Sequence, residues 1–144
     1  MPMATNEVTI ARPAEEVFAF VADGTNGPRW RPAVLDVSRV SGDGVGTEYR
    51  QGVKGPMGRR VPADYRVTAY EPGRLLSFDV TAGPARPRGR YELSPAPSGG
   101  TRLRFTLECE LGGAKKLLMG RSVERAMRSE VGNLERLKAV LESA

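Results

Sequence analysis

The chain has 144 residues, of which 40% are hydrophobic, and its 22 Lys and Arg against 17 Asp and Glu give a net charge of +5. This length suits one domain that buries roughly two-thirds of its unfolded surface without disulfides or metals, so we predict a single domain over residues 1–144. The sequence contains no histidine. That absence excludes Ser-His-Asp and Cys-His catalysis and the usual imidazole-containing metal sites, and we expect no metal and no cofactor.

Membrane and export signals are missing from the sequence as given. No apolar run approaches the length of a membrane span, and MPMATNEVTI lacks a basic segment followed by an apolar one, so neither integral membrane contact nor export is expected. The single cysteine, Cys109, can form no internal disulfide and is interpreted as a small buried strand residue, which makes a cytoplasmic location the simplest prediction. The arginines are scattered among acidic residues, so nucleic acid is not an expected partner.

The N-terminal pattern predicts a strand and then a helix. Val8 and Ile10 alternate with polar residues, as in a short strand. Pro13 suits a first helical position, and the apolar spacing that follows predicts an amphipathic helix over residues 13–22. Gly and Asn residues end this helix and start a loop or a second short helix that carries Trp30.

Six further strands are predicted between turns rich in Gly and Pro. They lie at about residues 33–41, 46–54, 60–70, 74–82, 87–95 and 101–110. Consecutive strands joined by such turns form an antiparallel meander.

The C-terminal segment predicts a long helix from about residue 114 to 142. One of its faces is apolar, with Val123, Met127, Leu134, Leu137 and Leu141. A curved antiparallel sheet that wraps around this helix is the simplest way to bury both apolar faces, so we predict an α+β fold.

Alternation along the strands places almost every charge of the sheet on its outer face. The inner face is apolar except for Thr47, Gln51 and three tyrosines. The tyrosines are either core residues with bonded hydroxyls or, with Gln51, the polar groups that orient a ligand in an apolar cavity. The second interpretation predicts a ligand site formed by Trp30, Tyr49, Gln51, Tyr65, Phe78, Tyr91, Phe105 and Met127.

Glu130 interrupts the apolar face of the helix between Met127 and Leu134. If its side chain points at the sheet, its pKa is expected to be raised and it is a candidate catalytic acid or base. A small rotation of the helix would instead place Val131 inside and leave Glu130 on the flank, paired with an arginine.

Several local sequences, taken in order, resemble one known family. They are the run IARPAEEVFAFVAD at residues 10–23, Trp30-Arg31-Pro32, GVGT at 44–47, GTRL at 100–103 and LKAVLE at 137–142. Together they resemble the START-like (SRPBCC) superfamily, in particular its polyketide cyclase/dehydrase group. The resemblance implies a helix-grip fold with a deep apolar cavity between the sheet and the C-terminal helix.

The same resemblance implies two kinds of function, either binding or transport of lipids and other hydrophobic molecules, or aldol cyclisation and dehydration of polyketide chains. Aromatase/cyclases of this group are expected to use arginine and tyrosine side chains in the cavity. By alternation the strand arginines of this chain point outward, so no catalytic residue is transferred from the family.

The leading hypothesis is binding or transport of a small hydrophobic, lipid- or polyketide-like ligand. The alternatives are a cofactor-independent polyketide cyclase/dehydratase that uses Glu130 or a tyrosine, and a protein-partner module that uses the basic outer face. Whether the chain is an enzyme or forms a homo-oligomer stays open. The turn at residues 55–58, with Met57 at its tip, is the candidate lid.

Overall fold

The first strand runs along the edge of an antiparallel sheet in the computed structural model, which describes residues 3–143. This strand, β1 (Met3–Ile10), pairs with the last strand, β8 (Thr101–Glu108). Its alternating residues Ala4, Val8 and Ile10 are buried because they face the C-terminal helices.

The remaining elements lie in the predicted order. Helix α1 (Ala14–Ala22) leads into a 3₁₀ turn at Gly24–Arg29. The next strands are β2 (Val34–Ser41), β3 (Glu48–Lys54), β4 (Arg60–Pro62), β5 (Tyr65–Glu71), β6 (Leu75–Val80) and β7 (Arg88–Pro95). Helices α2 (Gly113–Gly132) and α3 (Leu134–Glu142) complete the described chain.

The sheet has the spatial order β1-β8-β7-β6-β5-β3-β2, and β4 pairs with β3 beside β5. All pairings within the described residues are antiparallel. The curved sheet encloses the C-terminal helices, and this confirms the predicted α+β helix-grip architecture. The apolar face of the helices is buried as predicted, at Val123, Met127, Leu134, Leu137 and Leu141.

The predicted strand at 60–70 is two strands, because the chain bends between Pro62 and Tyr65. At the bend the Asp64 carboxylate accepts a hydrogen bond from the backbone N–H of Gln51. The side chain thereby satisfies a backbone donor that a continuous strand would have paired.

A bulge in β5 reverses the alternation beyond Val67, where the register with β6 shifts. Tyr70 therefore packs on the core and meets Phe18 edge to face at 5.1 Å. Ala69, which strict alternation assigns to the inner face, pairs instead with the outer residue Ser77.

The predicted single helix over 114–142 is likewise two helices, separated by Asn133. The N–H of Asn133 bonds back to the carbonyl groups of Glu130 and Val131, and its side chain is buried. Since the two helices meet at this one residue, the apolar face stays on the sheet side on both sides of the break.

Candidate functional site

A cavity of about 470 Å³ lies between the sheet and α2. Its walls come from the end of α1, the 3₁₀ turn at Gly24–Arg29, strands β3 to β8 and one face of α2, and most of its lining is apolar. This volume is within the usual range for sites that enclose a small molecule.

Every residue predicted as a ligand contact lines this cavity, and so does Glu130. The eight are Trp30, Tyr49, Gln51, Tyr65, Phe78, Tyr91, Phe105 and Met127. Alternation brings together the six that lie in strands, since each strand contributes its inner-facing side chains, whereas Trp30 directly follows the 3₁₀ turn and Met127 lies on α2. That they contact a ligand stays a prediction.

Aromatic rings form the floor of the cavity on the sheet. Tyr91 stacks on Phe105 with ring centroids 4.2 Å apart, and Tyr49 stacks on Tyr65 at 4.8 Å. Phe78 lies between the two stacks, 5.3 Å from Tyr65 and 6.1 Å from Tyr91. These contacts fix the shape of the apolar surface that a ligand would meet.

Two glycines make this arrangement possible. A Cβ on Gly89 would overlap the ring of Phe78, its partner across β6 and β7. A Cβ on Gly24 would overlap both the Tyr65 hydroxyl and the Tyr49 ring. Only a residue without a side chain allows these aromatic groups to approach the backbone.

The three tyrosines of the inner face have different surroundings. The Tyr49 hydroxyl donates to the Ala22 carbonyl and accepts from the Gly24 N–H, both at 3.2 Å, so it behaves as a core residue. Burial raises the pKa of the Tyr65 and Tyr91 hydroxyls, with nearby Arg31 opposing the shift, so both are neutral at physiological pH. Neither hydroxyl has a hydrogen bond to another residue within 3–143 that would fix it in the core.

A hydrogen-bonded polar cluster lies in the apolar lining, which also includes the charged residues Asp23 and Lys54. The Arg31 Nε donates to the Glu130 carboxylate at 2.8 Å, and an Arg31 Nη donates to the Gln51 amide oxygen at 3.1 Å. Gln51 is held in turn, because its amide nitrogen donates to the Ala63 carbonyl at 3.1 Å. The positions of all three polar side chains are therefore fixed by hydrogen bonds.

The ion pair in this cluster is largely withdrawn from water, with side-chain exposures of 17% for Arg31 and 18% for Glu130. Burial by itself would lower the pKa of Arg31, but the charge and hydrogen bond of Glu130 more than offset this and raise it. The guanidinium thus stays charged, and the carboxylate balances its charge inside the cavity.

The structure combines features of both interpretations of Glu130. Val131 is buried on the sheet side and Glu130 lies on the flank, paired with an arginine. The carboxylate nevertheless lines the cavity, so it is both an ion-pair partner and a cavity residue.

Arg31 is the cavity residue that alternation cannot find, because it comes after a 3₁₀ turn and lies in no strand. The prediction that the strand arginines point outward is correct for six of them, which are all exposed: Arg50, Arg66, Arg88, Arg90, Arg102 and Arg104. The available signal was the position of Arg31 in the Trp30-Arg31-Pro32 motif, directly after a residue already assigned to the cavity.

Metal-ligand clusters and membrane-spanning helices are both absent from residues 3–143. Residues 3–143 contain no cluster of three His, Cys, Asp or Glu side chains suited to a metal ion. Cys109 is buried, and burial raises the pKa of its thiol. No helix in the same range has the length and apolar character needed to cross a bilayer.

The candidate lid lies beside the cavity. Pro56–Gly58 forms a short 3₁₀ turn, with Met57 in the left-handed region at φ 58° and 96% exposed at its tip. Gly55 and Pro56 contribute to the cavity lining. That this turn opens and closes stays a prediction.

Solved structures share the fold over nearly the whole chain. A protein from Thermus thermophilus is 23% identical, with a TM-score of 0.80 over 99% of both chains. A START superfamily protein from Mycobacterium smegmatis is 20% identical, with a TM-score of 0.64 over 94% of this chain and 98% of that one.

A third similar structure is the di-domain ARO/CYC StfQ from the steffimycin biosynthetic pathway, which is 13% identical with a TM-score of 0.80. The alignment covers 96% of this chain and 49% of StfQ. At these identities the likenesses show the fold alone. Comparison with curated protein sequences gives no significant match.

Family membership is shown by the sequence itself. The family described as "Polyketide cyclase / dehydrase and lipid transport" matches residues 1–142, in agreement with the resemblance carried by the local motifs. The chain therefore belongs to this family.

Proposed function

We propose that this protein binds a small, uncharged, hydrophobic molecule in the cavity, with a carbonyl or similar acceptor placed against Arg31. The observation that carries the proposal is an apolar cavity in which the charge of Arg31 is balanced by Glu130 within the cavity wall. Apolar burial supplies the affinity, and the polar cluster supplies the orientation.

The charge balance supports an uncharged ligand over an anion. Arg31 is already paired with Glu130, the other two charged lining residues, Asp23 and Lys54, are of opposite sign, and Tyr65 and Tyr91 are neutral. A carboxylate would lose its hydration without meeting a net positive charge, whereas a ketone or ester oxygen needs only a donor.

Arg31 has donors to spare for such an oxygen. A guanidinium carries five N–H groups, and Arg31 uses Nε for Glu130 and one Nη1 hydrogen for Gln51. The remaining N–H groups can point into the cavity toward an acceptor.

The test is displacement of a fluorescent hydrophobic probe by a long-chain methyl ketone. The ketone is expected to displace the probe from the wild type but not from Ala63→Phe, which places a ring in the cavity. Ala139→Phe puts the same ring on an exposed position of α3 and should leave binding unchanged. Equal binding by Ala63→Phe and wild type, or no binding by either, would exclude the cavity as the site.

A cyclase/dehydratase activity is the second candidate, because the cavity does contain an arginine beside tyrosines. Arg31 could polarise a ketone carbonyl while Glu130 accepts a proton from the neighbouring methylene. The resulting enolate carbon then attacks a second carbonyl of the same chain, which closes the ring, and Glu130 returns its proton to the new alkoxide. The hydroxyl and a neighbouring hydrogen then leave as water, which forms a double bond in the ring. Only bonds within the substrate and protons change, so the step needs no cofactor.

This second candidate makes a separate kinetic prediction. Glu130→Gln should abolish turnover of a poly-β-ketone at saturating concentration, where ligand affinity no longer limits the rate. Unchanged turnover in this variant would exclude Glu130 as the proton acceptor.

A further inference from the structure

Three chain segments that line the cavity lie close to one another. Lys115, near the start of α2, donates to the Pro84 carbonyl at 3.3 Å. A Cβ on Gly83 would overlap the Pro62 carbonyl, so the loop between β6 and β7 also lies against β4. We call residues 54–59, 83–87 and 113–121 together the mouth surface.

The mouth surface borders the cavity directly. Each of its segments contributes to the cavity lining, through Pro56, Pro84 and Met119 among others. Pro56 and Pro84 are also exposed, so the cavity reaches the protein surface here, and anything that covers the mouth surface covers this opening.

The charge of the mouth surface has one sign. Its six charged residues are all basic and exposed, namely Lys54, Arg59, Arg86, Lys115, Lys116 and Arg121. None of the chain's 17 Asp and Glu residues lies in these segments, although the net charge of the whole chain is only +5. The six positive charges of the mouth surface are therefore enough to account for the whole net positive charge of the chain.

The same surface exposes large apolar side chains. Leu117 is 89% exposed, Leu118 is 83% exposed and Met57 is 96% exposed. Other residues of the first turns of α2 are exposed as well, so this part of the helix has no core to pack on. Apolar side chains placed this far into solvent mark an interaction site.

We propose that the mouth surface docks on an anionic phospholipid bilayer. Leu117, Leu118 and Met57 enter the headgroup region, and the surrounding Lys and Arg side chains contact the lipid phosphates. The contact is peripheral, and it brings the cavity opening to the membrane.

Charge and shape favour a bilayer as the partner of the mouth surface over a second copy of the chain or an acidic protein. In a symmetric dimer through this surface, Lys115 and Lys116 would face basic residues of the second copy, which costs free energy. An acidic protein would need a surface shaped to fit Met57 on the turn and Leu117 and Leu118 on the helix. A fluid bilayer accommodates such exposed side chains without a matching shape.

The test is flotation with lipid vesicles at low and high salt. The wild type is expected to float with vesicles of equal parts phosphatidylcholine and phosphatidylglycerol, but not with phosphatidylcholine alone, and to dissociate as salt rises. Leu117→Ser with Leu118→Ser, and separately Lys115→Glu with Lys116→Glu, should each lower the partition coefficient about tenfold or more.

Matched controls alter similar residues elsewhere. Val40→Ser with Val45→Ser removes apolar side chains that are 54% and 63% exposed near the opposite end of the β2–β3 hairpin. Arg50→Glu with Arg136→Glu makes the same change in net charge away from the mouth surface. Both controls should float like the wild type, and all variants should keep the wild-type circular dichroism spectrum, because the altered side chains are exposed.

Three results would overturn the docking proposal. These are no flotation with anionic vesicles at low salt, equal flotation of the Leu117/Leu118 variant and the wild type, and a concentration-dependent dimer that this variant abolishes. The Ala63→Phe variant should still float, so failure of ligand binding and failure of membrane docking can be told apart.

Discussion

Glu130 sets the charge balance of the cavity through its contact with Arg31. Glu130→Gln leaves a guanidinium that is 17% exposed without its counter-ion, so we expect a loss of about 1–3 kcal/mol in the free energy of unfolding. Urea denaturation measures this loss. Glu124→Gln removes the exposed pair with Arg128 from the same helix and should change stability by less than about 0.5 kcal/mol. Equal effects of the two substitutions would contradict a structural role for the cavity pair.

Tyr49 and Tyr91 separate the core and ligand interpretations of the tyrosines. Tyr49→Phe removes a buried hydroxyl bonded to Ala22 and Gly24, so a loss of about 1–2 kcal/mol in unfolding free energy is expected. Tyr91→Phe should leave stability within about 0.5 kcal/mol of wild type and weaken binding of a methyl ketone. Urea denaturation and ketone titration of both variants check this. A loss of stability in Tyr91→Phe together with weaker ketone binding by Tyr49→Phe would instead make Tyr91 the core residue and Tyr49 the ligand contact.

For single residues, strand alternation predicts the inward side chains, but it cannot place a side chain that a turn positions. Tyr49, Tyr65 and Tyr91 lie on the cavity side because strand geometry puts them there. Arg31 could not be placed in this way, since residues beside a 3₁₀ turn have no period of two. Its partnership with Glu130 joins positions 99 residues apart, which no local pattern reports.

Among the elements, the end of α2 offers a direct test of helix energetics. A Cβ at Gly132 would meet no other group, so Gly132→Ala should raise the free energy of unfolding by about 0.5–1 kcal/mol. Gly24→Ala is the matched control, because there the new methyl group would overlap Tyr49 and Tyr65, and it should destabilise. Urea denaturation distinguishes the two, and a destabilising Gly132→Ala would show that the break before α3 requires glycine.

The sequence predicts the order and type of the elements well, because apolar spacing and Gly/Pro turns are strong local signals. It does not predict the break at Asn133, since the apolar face continues through it. It also does not predict the bend at Asp64, because the side-chain bond to the Gln51 N–H depends on a neighbouring strand. Both features depend on tertiary contacts.

At the scale of the whole molecule, Glu142 at the end of α3 contacts the segment that follows β1. The backbone N–H of Ala11 and then Lys138 lower the pKa of its carboxyl group. A carboxyl with a lowered folded-state pKa stabilises the fold above its unfolded pKa of about 4.3, and this contribution disappears as pH falls through the folded value.

Glu142→Gln should therefore lower the melting temperature at pH 7, and its difference from the wild type should shrink once the pH falls below about 4.3 and disappear below the folded-state pKa. Thermal melts across this pH range are the measurement. Glu135→Gln, on an exposed position of the same helix, should match the wild-type curve. A Glu142→Gln deficit that is independent of pH would mean that the contact is not electrostatic.

The outer face of the sheet is less basic in effect than its arginine content suggests. Arg102 and Arg104 both pair with Glu7, and Arg90 pairs with Glu92. These pairs argue against the outer face as a docking site for an acidic protein. The single domain over 1–144 and the cytoplasmic location remain predictions from the sequence.

The central claim is that the cavity selects an uncharged hydrophobic ligand because Glu130 balances Arg31. The most direct measurement is calorimetric titration of the wild type and Glu130→Gln with a methyl ketone and a fatty acid of equal chain length at pH 7. The wild type should bind the ketone more tightly, and Glu130→Gln should shift the preference toward the fatty acid by about tenfold or more. Tighter binding of the fatty acid by the wild type, or the same preference in both proteins, would contradict the claim.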